Sequence, residues 1–286
     1  MTITAKMVRD LRERTGAPMM DCKKALTAAD GDMNGAEDHL RKAGMKSAAK
    51  KADRETAEGR VFAAITVENR RGHMVGIACE TDFLAKSQGF IDFVSQLSNH
   101  VENHDPDGVE DGSRPLYQQS WQGEGKPVVE LIQEQVGTFG ENVRVAQMVR
   151  LENASGRVGA YVHHDYKQGA IVSVTTSADA DKVGEALKSL CQHIVVFSPA
   201  YAKREDVPAD ALEREKAVIA EADDIKSKPE EVREKIVTGR LSKFFAGCCL
   251  TDQPWIHDDK QSVQKALEAE LGKGTTIDSF VRVSLG

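Results

Sequence analysis

His163, His164 and Asp165 stand in a row and carry the side-chain types that hold zinc or pass protons. The run that leads into them, Val158 to His163, reads as a strand, and neighbours on a strand point to opposite faces. Two adjacent imidazoles placed that way do not converge on one ion. Cys248-Cys249 fails for the same reason. Gly123-Glu124-Gly125-Lys126 and Gly272-Lys273-Gly274 lack the spacing that aims successive backbone N–H groups at phosphates. Neither a Gly-x-Ser-x-Gly elbow nor a His-Glu-x-x-His helix occurs. The reading is of a protein without a metal, a cofactor or a directly bound nucleotide, and not an enzyme.

Thr81-Asp82-Phe83-Leu84 is the segment that stands out. It follows an alternating strand pattern and precedes an amphipathic one, so it belongs in a turn at a sheet's rim. In one reading Thr81 or Asp82 caps the next turn and Phe83 tucks into the local core. In the other an acidic group stands beside an exposed aromatic on a rigid turn, a wedge for a partner's pocket. Burial of Phe83 separates the two.

The elements that must hold this turn follow from periodicity. Three short helices open the chain: Thr4 caps the first and Gly16 ends it, Pro18 starts the second, and Asp32 caps a third that Gly44 stops. Residues 1–55 carry 12 Lys+Arg against 9 Asp+Glu, a net of +3, which leaves −10 on the rest of a chain of net −7. The module suits an acidic partner surface, and the overall acidic balance argues against nucleic acid. A basic, Ala-rich connector, Lys46 to Arg60, marks the boundary.

Strand runs Val61–Val67 and His73–Glu80 then flank a polar turn, and Phe90, Phe93, Val94, Leu97 and Val101 stripe a helix. Asp105 to Lys126 reads as a long surface loop or a weak local fold. A helix from Pro127 and a strand carrying Val143, Val145, Val149 and Leu151 follow. Gly156-Arg157-Val158 echoes Gly59-Arg60-Val61, and the order of strand, turn, strand and helix repeats after it. Two helices starting at Pro208 and Pro229 have thin apolar seams, which fits a projecting hairpin as well as helices lying flat on the body. A helix from Ser262 to Leu271 and a strand from Ile277 to Leu285 return to the second unit's sheet.

The fold class is α+β: a three-helix module (1–55), a first sheet-and-helix unit (56–152), a second (153–206 with 247–286) and a helical hairpin (207–246). Five cysteines without a Cys-x-x-Cys pair read as buried thiols of a reducing cytosol. No secretory signal opens the chain, and no apolar stretch approaches the ~18 residues of a membrane span. The expected setting is cytoplasmic, away from membranes.

Val8 to Gly16, Met19 to Leu26, Thr81-Asp82-Phe83 with Ala85-Lys86, Gly140-Glu141-Asn142, Gly239-Arg240 and Gln253-Pro254 together resemble the bacterial elongation factor Ts family. The likeness runs from Met1 to about Ser284. It implies a guanine-nucleotide exchange factor for elongation factor Tu, with a ubiquitin-associated-like N-terminal domain and a hairpin used for dimerisation or a 2:2 complex. It further implies that Phe83 wedges between two helices of the partner's GTPase domain, while Asp82 disturbs its Mg²⁺ water network. Thr81 and Leu84 complete that turn. Arg12, Met19 and Met20 match positions that dock on the GTPase domain. Phe139-Gly140 matches a pair, usually Ile-Gly, that shifts the phosphate-binding loop, and His163 matches a histidine near the contact surface. The chain stops at Gly286, so no contact from a further helical module is expected. Two competing readings are an adaptor that binds through the helical module with no effect on nucleotide, and a metal hydrolase using His163, His164 and Asp165.

Overall fold

The computed structural model describes residues 2–123, 125–222 and 229–286. Its first helices are α1 (Ala5–Thr15), α2 (Met19–Ala28) and α3 (Met33–Lys51). Thr4 accepts from the Met7 N–H and Asp32 from the Gly35 N–H, satisfying donors that a bare helix start leaves unpaired. Leu11, Cys22, Ala25, Leu26 and Ala36 close a small core between the three helices. The stop expected at Gly44 is not there, because α3 continues to Lys51. Gly44 is where α3 crosses α6 (Val128–Phe139). A Cβ built on Gly137 of α6 would lie 2.7 Å from the Gly44 Cα, so the two backbones meet with no side chain between them. Packing, rather than termination, explains that glycine.

Two three-stranded antiparallel sheets follow. In one, β2 (Arg71–Cys79) lies between β1 (Glu58–Ile65) and β3 (Val143–Glu152). In the other, β5 (Gln168–Thr175) lies between β4 (Arg157–Val162) and the C-terminal β8 (Thr276–Ser284). Alternation along β2 sends Val75, Ile77 and Cys79 against α5 (Gln88–His104), and along β5 sends Ala170, Val172 and Val174 against α7 (Ala180–Phe197). The opposite faces meet each other: Met74, Ala78, Val158, Ile171, Val283 and Leu285 form one buried cluster. The sheets therefore stack face to face with helices outside. Gly76 permits the approach, since a Cβ there would meet Val283 Cγ1 at 2.8 Å.

The repeat extends well beyond the Gly-Arg-Val triplet. Both sheets carry a bulge against the central strand, Ala146 of β3 opposite Gly76/Ile77 and Asp278 of β8 opposite Ser173/Val174. Both long helices end on a residue in left-handed conformation, Asp105 and Ser198. Each also buries a histidine that is bonded to a glutamine and stacked on a tryptophan two residues further along. His100 Nε2 lies 3.0 Å from Gln119 Oε1 with its ring 5.2 Å from Trp121. His193 Nε2 lies 3.0 Å from Gln253 Oε1 with its ring 5.4 Å from Trp255. Of the two readings of Asp105 to Lys126, the weak local fold holds among the described residues: short helical turns at Leu116–Gln118 and Trp121–Gly123 bury Leu116 and Trp121, and Tyr117 Oη accepts from the Val145 N–H at 3.2 Å.

Helices α8 (Ala209–Glu221) and α9 (Glu230–Cys248) begin after Pro208 and Pro229 and pack on each other. Ile219 is the one buried residue of α8, and α9 buries none, as thin seams require. Positions 223–228 of the expected hairpin lie outside the described residues. The short ribbon β6 (Pro254–Trp255) and β7 (Asp258–Ser262) leads to α10 (Val263–Leu271), whose N-cap is Ser262, and then to β8.

Candidate partner-binding site

Thr81 lies two residues past the end of the central strand β2, at the rim of the first sheet, and caps a single helical turn, α4 (Asp82–Ala85). Its Oγ1 accepts from the Leu84 N–H at 3.2 Å and donates to Glu141 Oε1 at 2.6 Å. The Thr81 N–H donates to Glu141 Oε2 at 2.9 Å. Both carboxylate oxygens of one side chain therefore clamp the turn. Below it, Leu84 and Ala85 are buried, and Ser87 caps α5 immediately afterwards. Cys79 lies in the floor, where burial pushes its thiol up to about 12 and keeps it protonated.

Phe83 points the other way and is 85% exposed. An apolar ring left in water at the crown of a clamped turn gives up hydrophobic stabilisation that folding could have used. The capping role and the exposed aromatic thus coexist: Thr81 does the capping, and Phe83 does not enter the core. Beside the ring, Asp82 accepts from Lys86 Nζ at 2.7 Å. That hydrogen bond, with the lysine's charge, lowers the Asp82 pKa, so the carboxylate stays ionised.

Glu141 comes from the turn that follows α6. Gly140 ends that helix at φ 78°, a left-handed conformation in which glycine is unstrained. Asn142 N–H donates to Glu80 Oε1 at 2.6 Å, and Asn142 Nδ2 donates to the carbonyls of Ala52 and Arg54. The rim after β2, the turn after α6 and the end of the N-terminal module are tied at one point. Phe139 is half-buried and packs edge-on to Phe90 and Phe93, ring centroids 5.8 and 6.1 Å away. Gly140, beside it, is exposed.

The other predicted residues lie on two further surfaces. Met19 (48%) and Met20 (62%) are exposed at the start of α2, and Arg12 is exposed on α1. His163 is not in a strand but in the turn after β4, with Nδ1 3.1 Å from Tyr161 Oη. Its ring lies 4.2 Å from that of His164. Among the described residues no group of three or more His, Cys, Asp or Glu could hold a metal ion. No helix among them is long and apolar enough to cross a membrane.

Glu80, Glu141 and Asn142 are supporting residues whose roles the sequence did not disclose. Their signal is an acidic residue beside each of two turn motifs, at Glu80-Thr81 and at Gly140-Glu141. Spacing alone cannot pair segments 60 residues apart.

Comparison with known proteins bears on the whole chain. The family model described as Elongation factor TS matches residues 80–286, a span that opens one residue before Thr81. The protein named Elongation factor Ts in Trichlorobacter lovleyi is 38% identical over 294 residues, covering 100% of this chain and 93% of its own length. Its namesake in Clostridium perfringens (strain SM101) is 38% identical over 287 residues, covering 99% and 93%. That of Magnetococcus marinus is 35% identical over 289 residues, covering 100% and 93%.

Proposed function

The chain belongs to the elongation factor Ts family of translation elongation factors, and from that premise we propose that it is a guanine-nucleotide exchange factor for elongation factor Tu. The observation that carries the proposal is the exposed Phe83 on a turn clamped by Glu141. A rigid apolar wedge can enter a partner without first being ordered, so little of its binding energy is lost to entropy. Phe83 parts two helices of the partner's GTPase domain, and the ionised Asp82 perturbs the water shell of the partner's Mg²⁺. Thr81 and Leu84 hold the turn. Phe139 and Gly140 act on the phosphate-binding loop, while Arg12, Met19, Met20 and His163 dock.

No covalent chemistry is required of such a factor. It binds the opened partner more tightly than the GDP-bound one, and linkage weakens GDP by the same factor. A coupling of about 4 kcal/mol corresponds to roughly a thousandfold loss of GDP affinity. The factor then leaves, so it speeds exchange without setting the final GDP/GTP balance. Within this proposal residues 1–55 form a ubiquitin-associated-like docking domain, 56–152 and 153–206 with 247–286 the two core units, and 207–246 a dimerisation hairpin. The protein works in the cytoplasm, beside its partner.

The test loads elongation factor Tu with fluorescent GDP and follows release after substoichiometric addition of this protein. Catalytic acceleration supports the proposal. Binding without acceleration would favour an adaptor instead.

A further inference from the structure

Tyr166 lies outside the Thr81 turn and its supports. It sits in the turn between β4 and β5, 45% exposed, with a backbone φ of 60°. In that region the Cβ crowds the backbone, so a bulky residue there is an outlier. The other non-glycine residues with positive φ among those described are Asp30, Glu68, Asn69, Asp105, Gln122 and Ser198, all polar. Tyr166 is the one aromatic. A glycine or asparagine would make this turn with less strain, so turn formation alone does not account for a tyrosine.

The strained residue is held firmly. Its carbonyl accepts from the Val61 N–H at 2.7 Å, and its N–H donates to the His163 carbonyl at 2.9 Å. The Arg60 guanidinium lies 3.7 Å from its ring centroid, a cation–π contact that backs one face of the ring. Next to it, Lys167 Nζ is 2.6 Å from Glu58 Oε1. Glu58 pairs with Cys79 across the sheet, two residues before Thr81. The turn and its ring therefore occupy the end of the core that carries the Thr81 turn and His163. Strain maintained by surrounding contacts is characteristic of sites where a side chain is presented for function.

We propose that Tyr166 is a partner-contact residue, an aromatic anchor that touches elongation factor Tu on the same face as His163 and Phe83; the proposal rests on the exchange-factor reading. A tyrosine braced by an arginine offers a large amphipathic surface at small entropic cost, the usual chemistry of an interface anchor. Its part is affinity, whereas Phe83 acts on the nucleotide site.

The experiment titrates native protein, Tyr166→Gly and Tyr166→Phe against elongation factor Tu carrying fluorescent GDP. It reads the half-saturating concentration, the limiting release rate and the melting temperature. Tyr166→Gly is expected to raise the half-saturating concentration about tenfold, the effect of losing one anchor. Its limiting rate stays unchanged and its melting temperature stays equal or rises. Tyr166→Phe stays within about twofold of native because the ring is retained. An unchanged half-saturating concentration in Tyr166→Gly, a fall in limiting rate alone, or a melting temperature lower by several degrees would assign Tyr166 a structural role and overturn the proposal. Failure of the native protein to release GDP at all would instead remove the exchange-factor reading, and this inference with it.

Discussion

Thr81 and Phe83 are two residues apart and answer to different demands. Thr81 satisfies backbone donors and takes both oxygens of Glu141, so its surroundings fully specify it. Phe83 is specified by nothing in its own fold. The type and order of these residues were legible in the sequence, and so was the turn, because a strand pattern stops there and a helix pattern begins. Whether the ring is in or out was not legible, since a capped turn can direct the next side chain either way. Glu141→Ala tests the clamp. It leaves the Thr81 N–H without its acceptor and is expected to cost about 1–3 kcal/mol of stability, read as a lower denaturation midpoint. GDP release should slow as well, because the wedge is no longer held. An unchanged midpoint would show that water replaces the carboxylate freely.

At the scale of elements, the crossing of α3 and α6 decides how the N-terminal module sits on the body. Gly44 looked like a helix stop because glycine usually is one; its partner Gly137 is far along the chain, and no local rule links them. Valine at position 137 cannot fit against the Gly44 Cα at this separation and must push the helices apart, at a cost of roughly 1–3 kcal/mol. The expected outcome for Gly137→Val is weaker docking of Met19 and Met20, read as a higher half-saturating concentration in the exchange assay. In a Met19→Ala/Met20→Ala background the same change should add little, since coupled residues are not additive. Full additivity would mean that the crossing affects binding independently of Met19 and Met20, and an unchanged half-saturating concentration that it serves stability alone. The segment from Asp105 to Lys126 stayed open between a surface loop and a weak local fold for a related reason. Its Gly, Pro and Asp content signals turns, which it has, but Leu116 and Trp121 join the first unit's core, Trp121 stacked on His100. The clue was composition: the chain has two tryptophans, and each follows a glutamine by two residues.

Across the whole molecule, the two core units are variations on one plan, joined through the faces of their sheets. The succession of strands along the chain and the return of β8 were readable from alternation and from the Gly-Arg-Val echo. The stacking of sheets was not, because residues on both faces of β2 and β5 are apolar and alternation no longer marks an outside. The shared plan buries His100 and His193, and His73 is buried in β2. Burial lowers the pKa of all three, only partly offset by Glu102 at His73 and by the glutamines at the other two. His104 and His257, and Arg71 and Arg150 at His73, push the same way as burial. The unfolded chain therefore takes up these protons first, near pH 6.5. Stability is complete above that value and declines as pH falls towards the folded-state values, by up to about 1.4 kcal/mol per pH unit for each histidine. Urea midpoints at pH 7.5 and 5.5 should differ accordingly, with a shallower decline in His193→Gln. Equal midpoints would show that these rings can take up protons in place.

In the proposed exchange mechanism Phe83 acts upon the partner while contributing nothing to its own fold. The direct measurement is the limiting rate of fluorescent GDP release from elongation factor Tu at saturating native protein and at saturating Phe83→Ala, with both melting temperatures. A side chain this exposed should change stability by no more than about 0.5 kcal/mol when truncated. The release rate is expected to fall at least about tenfold, equivalent to about 1.4 kcal/mol of lost transition-state stabilisation. Equal release rates, or a variant that melts early, would contradict the wedge.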